Sequence, residues 1–275
     1  MIFNENNNRG IMNEIKFTKI FDKKTVKELS QQCQELLNEL FDGLNENDYI
    51  ECWKSKFKEK ADIKIRINED IKGISIKMGE NNSVHQEHIN SLSNYLLNIG
   101  IKYDIINKLR AYNFGLINGI QVDAETYKKR KSSDIVAIKM SLNDFYIKIN
   151  LMIRFLFKGS ETQFYDTDAI IHGTPENFLW ATKSEIMKYL LTYPEDDDTN
   201  VKVGPLYLQC RNRNLKNNIK SVYTEEYIQV KWYTIKKDLY LITKERTLKK
   251  ASKNINNWQI FYNKCSFFIN FMVKL

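Results

Sequence analysis

Residues 61–78 read ADIKIRINEDIKGISIKM, and their alternation decides how this part of the chain folds. Over 61–67, Ile63, Ile65 and Ile67 fall on one side of an extended chain. Asp62, Lys64 and Arg66 fall on the other. Over 71–78, Ile74, Ile76 and Met78 share a face, and Ser75 and Lys77 share its reverse. Two such segments four residues apart predict an antiparallel hairpin. A turn centred on Glu69–Asp70 sets Ile63 against Ile76 and Ile65 against Ile74. It also sets Asp62 directly opposite Lys77 and Lys64 opposite Ser75. A one-residue slip would oppose isoleucines and charges, so the apolar pattern favours this parity. Glu-Asp is not a favoured turn dipeptide, so the turn carries less weight than the parity.

Beyond the hairpin, Ser83 is expected to open a helix reaching about Ile99. Ser83 and Gln86 have capping-box spacing, and Ile89, Leu92, Leu96 and Ile99 form its apolar stripe. Glu87 would lie in the first turn, near the end of the second strand. Asp62, Glu87 and Lys77 would then converge. Two carboxylates can hold Mg2+ while leaving open positions, and the cation activates water and neutralises a phosphoryl oxygen. A lysine there serves the attacking water or the transition state. The plain alternative is a solvated Asp–Lys pair of little energetic value. Upstream, residues 23–42 carry Val26, Leu29, Cys33, Leu36, Leu37 and Leu40 at helical spacing, ended by Gly43.

The helix over 23–42, the hairpin with Asp62, the strand GISIK ending in Lys77 and the following Glu87 together resemble the PD-(D/E)xK nuclease superfamily, the restriction-endonuclease-like fold. The resemblance covers about residues 23–100. Ala61 stands where the motif has proline, and Ser75 stands where it has a second acid. The sequence is more similar to members that carry SxK on the strand and move the acid to the next helix, which makes Glu87 the displaced acid. Glu35, Glu39 and Glu51 are other sources of a carboxylate. The resemblance implies a Mg2+-dependent endonuclease acting on DNA, with Mn2+ as a substitute metal and with RNA left open as a substrate. It implies Asp62 and Glu87 as metal ligands, Lys77 as the catalytic ammonium and Ser75 as an auxiliary hydroxyl. It further implies a setting in restriction or antiphage defence, in the cytoplasm, as a homodimer or with a helicase or methyltransferase. The alternative is a non-catalytic nucleic-acid-binding or structural subunit of a defence complex.

The rest of the chain is expected to complete a mixed α/β (α+β) protein: a restriction-endonuclease-like core with a helical insertion and a basic, β-rich C-terminal region. The expected organisation is a flexible tail over 1–20, a core over 21–160 and a basic region over 161–275. Residues 102–158 read as largely helical, with an apolar element at 142–157 stopped by Gly159. Strands are expected at 168–172, 178–181, 206–210 and 227–233, and a helix at 184–193.

The 275 residues carry 42 basic and 34 acidic side chains, a net +8. Residues 201–275 alone hold 15 basic and 4 acidic ones, so the excess lies in the last quarter and fits a polyanionic partner. Arg211, Arg213, Lys216, Lys220, Gln229 and Lys231 are the candidate nucleic-acid contacts, and Trp232 is assigned to the core. The four cysteines lack CxxC spacing, which argues against a cysteine-built zinc site or disulfide framework. The sequence shows no secretory signal, and its longest apolar run near the end is too short to span a bilayer. His85 and His88 flank Glu87 without the HExxH pattern, so His85 is expected to be exposed. His172 is expected to be a satisfied strand-end residue. A second site using Asp168 and Lys231 ranks below the first. P-loop, GxGxxG and GxSxG patterns are absent.

Overall fold

The computed structural model describes residues 5–56, 59–80, 82–160, 166–194, 199–209, 226–250 and 252. The fold is mixed α+β, as expected. The first half runs α1 (Glu5–Phe21), β1 (Lys24–Thr25), a 3-10 turn (Val26–Glu28), α2 (Gln31–Leu40), β2 (Tyr49–Lys54), β3 (Ile63–Ile67), β4 (Asp70–Lys77), β5 (Ser83–His88) and α3 (Ile89–Asn98). Then come α4 (Tyr103–Phe114), a small ribbon of β6 (Leu116–Ile117) and β7 (Ile120–Gln121), α5 (Ala124–Arg130), α6 (Ser132–Leu142), α7 (Phe145–Ile153) and a π-helical turn (Arg154–Lys158). The last part holds β8 (Thr167–Thr174), β9 (Asn177–Thr182), α8 (Lys183–Leu191), β10 (Lys202–Val203), β11 (Leu206–Gln209) and β12 (Tyr227–Lys231), followed by helical residues over 235–250.

Two larger sheets form. One has the order β1-β2-β3-β4-β8-β9, antiparallel except where β8 lies parallel to β4. A parallel neighbour needs a long crossover, and β5 with α3 to α7 fills it. The expected helical insertion is therefore the connection that lets β8 join the ribbon. The second sheet is antiparallel, in the order β10-β11-β12-β5. The first sheet buries Ile63, Ile65, Ile67, Ile74 and Ile76 in one core with α1 and α2. Its other face, with Ile170 and Ala181, joins a second core shared by the helices and the β10–β12 sheet.

At Gly73 the chain leading into β8 passes too close for a side chain. A Cβ there would stand 2.4 Å from the Asp166 carbonyl oxygen and 2.9 Å from the Ala61 Cβ. The Gly73 N–H also donates to Asp168 Oδ2 at 2.8 Å.

Four local expectations need correction. Residues 5–21 form α1 instead of a loose tail, because Phe17 and Phe21 bury completely against the sheet. The helix expected over 23–42 begins only at Gln31. Thr25 and Glu28 close a capping box on the 3-10 turn, and Ser30 then caps α2. In the hairpin, Ile63 faces Ile74 and Ile67 faces Asp70, so the connection is Asn68–Glu69 and the register lies two residues from the one expected. Asn68 takes a φ of 54°, which asparagine tolerates better than most residues. A two-residue shift keeps every side chain on its face, so the isoleucines remain buried. Finally, Ser83–His88 is strand β5 and not the start of a helix. Its partner β12 comes from 139 positions later, with Tyr227 facing His88 and Gln229 facing Gln86.

Candidate active site

The hairpin brings Asp62, Ser75 and Lys77 together. The Asp62 N–H donates to the Ile74 carbonyl at 2.8 Å, which anchors residue 62 one step before β3 begins. Its Oδ2 accepts from Ser75 Oγ at 3.0 Å, from the Ile76 N–H at 2.5 Å and from Lys77 Nζ at 3.3 Å. Three donors on one oxygen fix the carboxylate. Its Oδ1 takes no hydrogen bond among the described residues. Ser75 is buried, whereas the Asp62 and Lys77 side chains keep 23% and 18% exposure, enough for a ligand to reach them.

A cavity of about 780 Å3 opens beside this group. The ribbon contributes Asp62 and Lys77, with Glu59 and Lys60 just before it. The second sheet contributes Ser83, Gln86, Glu87, His88 and Tyr227. Glu87 thus lines the same cavity as Asp62 and Lys77, but on β5, and its side chain is only 1% exposed. Arg154 clamps it in bidentate fashion, Nε to Oε1 at 3.0 Å and Nη2 to Oε2 at 2.6 Å. His85 Nε2 lies 2.9 Å from Oε1. Burial works to raise the Glu87 pKa, but the hydrogen bonds and charges of His85 and Arg154 overcome it and hold the carboxyl down to about 2. An ionised carboxylate only accepts, so the His85 ring nitrogen donates. His85 is buried, not exposed as expected, and burial lowers its pKa. Arg154 also lies 4.2 Å over the Tyr95 ring, and it is presented by the π-helical turn, a distortion common at functional sites.

Lys60 and Glu59 are among the cavity residues that escaped the sequence reading. Lys60 donates to the Val84 and Phe155 carbonyls, joining the start of the ribbon to β5 and the π-helical turn. Enclosure of its ammonium end pulls its pKa down to about 7, helped by the charge of Lys77 and opposed by Asp62 and Glu87. Glu59 pairs with the buried Lys64 at 2.8 Å and accepts from the Lys56 N–H at 2.9 Å. Burial raises its pKa, but the Lys64 hydrogen bond and the other donors leave it lowered. For Arg154 there was a signal: an arginine inside the apolar run 142–157 needs a buried partner.

The other candidates separate from this cluster. Glu51 pairs with Arg66, Glu39 with Lys250 at 2.6 Å, and Glu35 bonds Gln31; none of the three lines the cavity. Gln229 donates to Ser83 Oγ at 2.8 Å and is half-buried, while Lys231 Nζ lies 5.7 Å over the Tyr233 ring. Arg211, Arg213, Lys216 and Lys220 lie outside the described residues. Asp168 stands on β8 of the first sheet, where it accepts from the Gly73 N–H, and Lys231 stands on β12 of the second. His172 Nε2 lies 3.0 Å from the Gly79 carbonyl, a satisfied strand-end histidine. Trp232 is buried and donates to Asp238 at 2.6 Å. Among the described residues no cluster of three His, Cys, Asp or Glu side chains is arranged to hold a metal, and no helix is long and apolar enough to cross a membrane.

No protein-family model matches this sequence, and no curated protein matches it. Among solved structures the chain is similar to restriction endonuclease MspI in complex with its cognate DNA. The identity is 13% and the TM-score 0.49, over 81% of this chain and 88% of that one.

Proposed function

We propose that the protein is a metal-dependent endonuclease that hydrolyses DNA phosphodiester bonds, with Asp62 and Lys77 as its chemical pair. The observation that carries this reading is the Asp62 carboxylate. One oxygen is locked by Ser75, Ile76 and Lys77, while the other, beside a cavity, takes no hydrogen bond among the described residues.

Mg2+ is commonly held by one or two carboxylates, with phosphate oxygens and water completing its octahedron. Asp62 fits that need, and Mn2+ would suit the same oxygen. Glu87, the expected second ligand, does not fit while Arg154 and His85 hold both of its oxygens. We therefore assign the metal to Asp62 and give Glu87 the role of fixing the β5 side of the cavity. When bound, the cation would activate water and neutralise a phosphoryl oxygen. Ser75 and the Ile76 N–H keep the Asp62 carboxylate from rotating. Lys77, tethered to Asp62, places a positive charge where negative charge grows on the phosphoryl group.

The assay is cleavage of DNA with Mg2+ by the purified protein, alongside Asp62→Ala and Lys77→Ala. Each variant is expected to lose about 100-fold or more in rate. Cleavage indifferent to both changes would sink the assignment. An RNA substrate run in parallel decides the nucleic acid. A restriction or antiphage role, a cytoplasmic setting, a homodimer and a helicase or methyltransferase partner belong to the same proposal. The engagement of both Glu87 oxygens favours one rival, a nucleic-acid-binding subunit that keeps the fold without catalysis. That rival predicts DNA binding that needs no divalent cation.

A further inference from the structure

The cavity's two sheets contribute different chemistry. The ribbon side supplies Asp62, Lys77, Glu59 and Lys60, all ionisable. The accessible groups from β5 and β12 are an amide, a hydroxyl and two rings: Gln86, Ser83, His88 and Tyr227. Gln86 is exposed, and its amide has no hydrogen-bond partner among the described residues. A glutamine amide offers a donor and an acceptor side by side, which suits a base edge such as that of adenine. Tyr227 keeps 36% of its surface open. Its ring meets His88 edge-on, centroids 5.5 Å apart at 73°. His88 is itself fixed, because Nδ1 accepts from the Asn90 N–H at 3.1 Å and Nε2 lies 3.1 Å from Glu226. The Tyr227 ring is thus supported at an edge.

The cavity's size fits one nucleotide. About 780 Å3 lies in the range of small-ligand sites, roughly 300–1,000 Å3. Such a space has room for a single nucleotide inside it. A base inside a duplex has both faces covered by its neighbours, so only an unpaired or extruded base can stack on a protein ring.

Resting on the nuclease reading above, we infer that Tyr227 and Gln86 receive the base of the nucleotide whose phosphate lies at Asp62 and Lys77, so the substrate enters as a single strand or as an extruded nucleotide. Tyr227 supplies the stacking surface and Gln86 the edge contact.

The test uses the full chain carrying Asp62→Asn, so that DNA is not consumed. Fluorescence anisotropy compares one sequence as a single strand, as a matched duplex and as a duplex with a mismatch. The single strand and the mismatched duplex are expected to bind more tightly than the matched duplex. Adding Tyr227→Ala is expected to weaken binding by about 5- to 100-fold, and Tyr227→Phe, which keeps the ring, restores it. A matched duplex that binds as tightly as the others, or binding indifferent to Tyr227→Ala, overturns the inference. Cleavage by the wild type in that case leaves the nuclease reading standing. A wild type that cleaves nothing removes that reading and this inference with it.

Discussion

Asp62 and Glu87 are carboxylates on one cavity, and their surroundings are opposites. Asp62 is part-exposed and, among the described residues, keeps one oxygen uncommitted. Glu87 is enclosed, and three donor atoms of Arg154 and His85 engage its two oxygens. The difference follows from what presents them. Asp62 sits at the open end of a hairpin whose polar face borders the cavity. Glu87 sits on β5, the edge strand of the second sheet, enclosed by β12 and the π-helical turn, where an ionised group must be paired to be tolerated. Sharing a cavity does not give two acids the same work. In the proposed reading, the one with spare coordination capacity takes the metal, and the saturated one holds the frame.

The sharpest way to break this contrast is to separate activity from stability. Asp62→Asn is expected to lower the cleavage rate by about 1,000-fold with the melting temperature little changed. Arg154→Ala is expected to do the reverse first. It strands Glu87 as an uncompensated buried charge, a cost of about 3–5 kcal/mol seen in chemical denaturation. If the two variants exchanged these phenotypes, the roles would be exchanged.

Acid sharpens the contrast further. The Glu87 pKa is held at about 2, below its ordinary value of 4.5. A depressed carboxyl stabilises the fold fully above 4.5, and that contribution is lost as the pH falls toward 2. The 2.5-unit depression corresponds to a contribution on the order of 3 kcal/mol. Stability measured from pH 6 down to pH 2 should decline across this window, and Glu87→Gln should flatten much of the decline. An unchanged slope in that variant would deny the pair its structural role.

The smallest expected effect belongs to Ser75→Ala. It removes one of three donors on Asp62 Oδ2, so a loss of about 1 kcal/mol and less than about tenfold in rate is expected. A loss as large as that of Asp62→Asn would make the hydroxyl a reacting group instead of a brace.

These contrasts also mark what sequence could convey. The parity of Ile63, Ile65, Ile74 and Ile76 revealed the hairpin, because alternation reports which face is buried. It left the register open by two residues, since such a shift moves no side chain to the other face. The Asp62–Lys77 neighbourhood survived that shift, because Ile76 and Ser75 slid into place beside Asp62. Ser83–His88 was illegible as a strand. Its polar spacing imitates a helix cap, and only β12, far along the chain, supplies the pairing that makes it extended. Helix α1 was hidden for a similar reason: its Asn-rich start has low helix propensity, and tertiary burial of Phe17 and Phe21 outweighs it. Lys60 and Gln86 carried no local signal, because what matters at each is the sheet facing it.

The most direct measurement is a Mn2+ titration of the wild type, Asp62→Asn and Glu87→Gln, each first shown to be folded by thermal melting. Wild type and Glu87→Gln are expected to bind the ion, and Asp62→Asn to lose it. Binding that survives in Asp62→Asn but disappears in Glu87→Gln, or a wild type that takes up no Mn2+ with DNA present, would contradict the assignment.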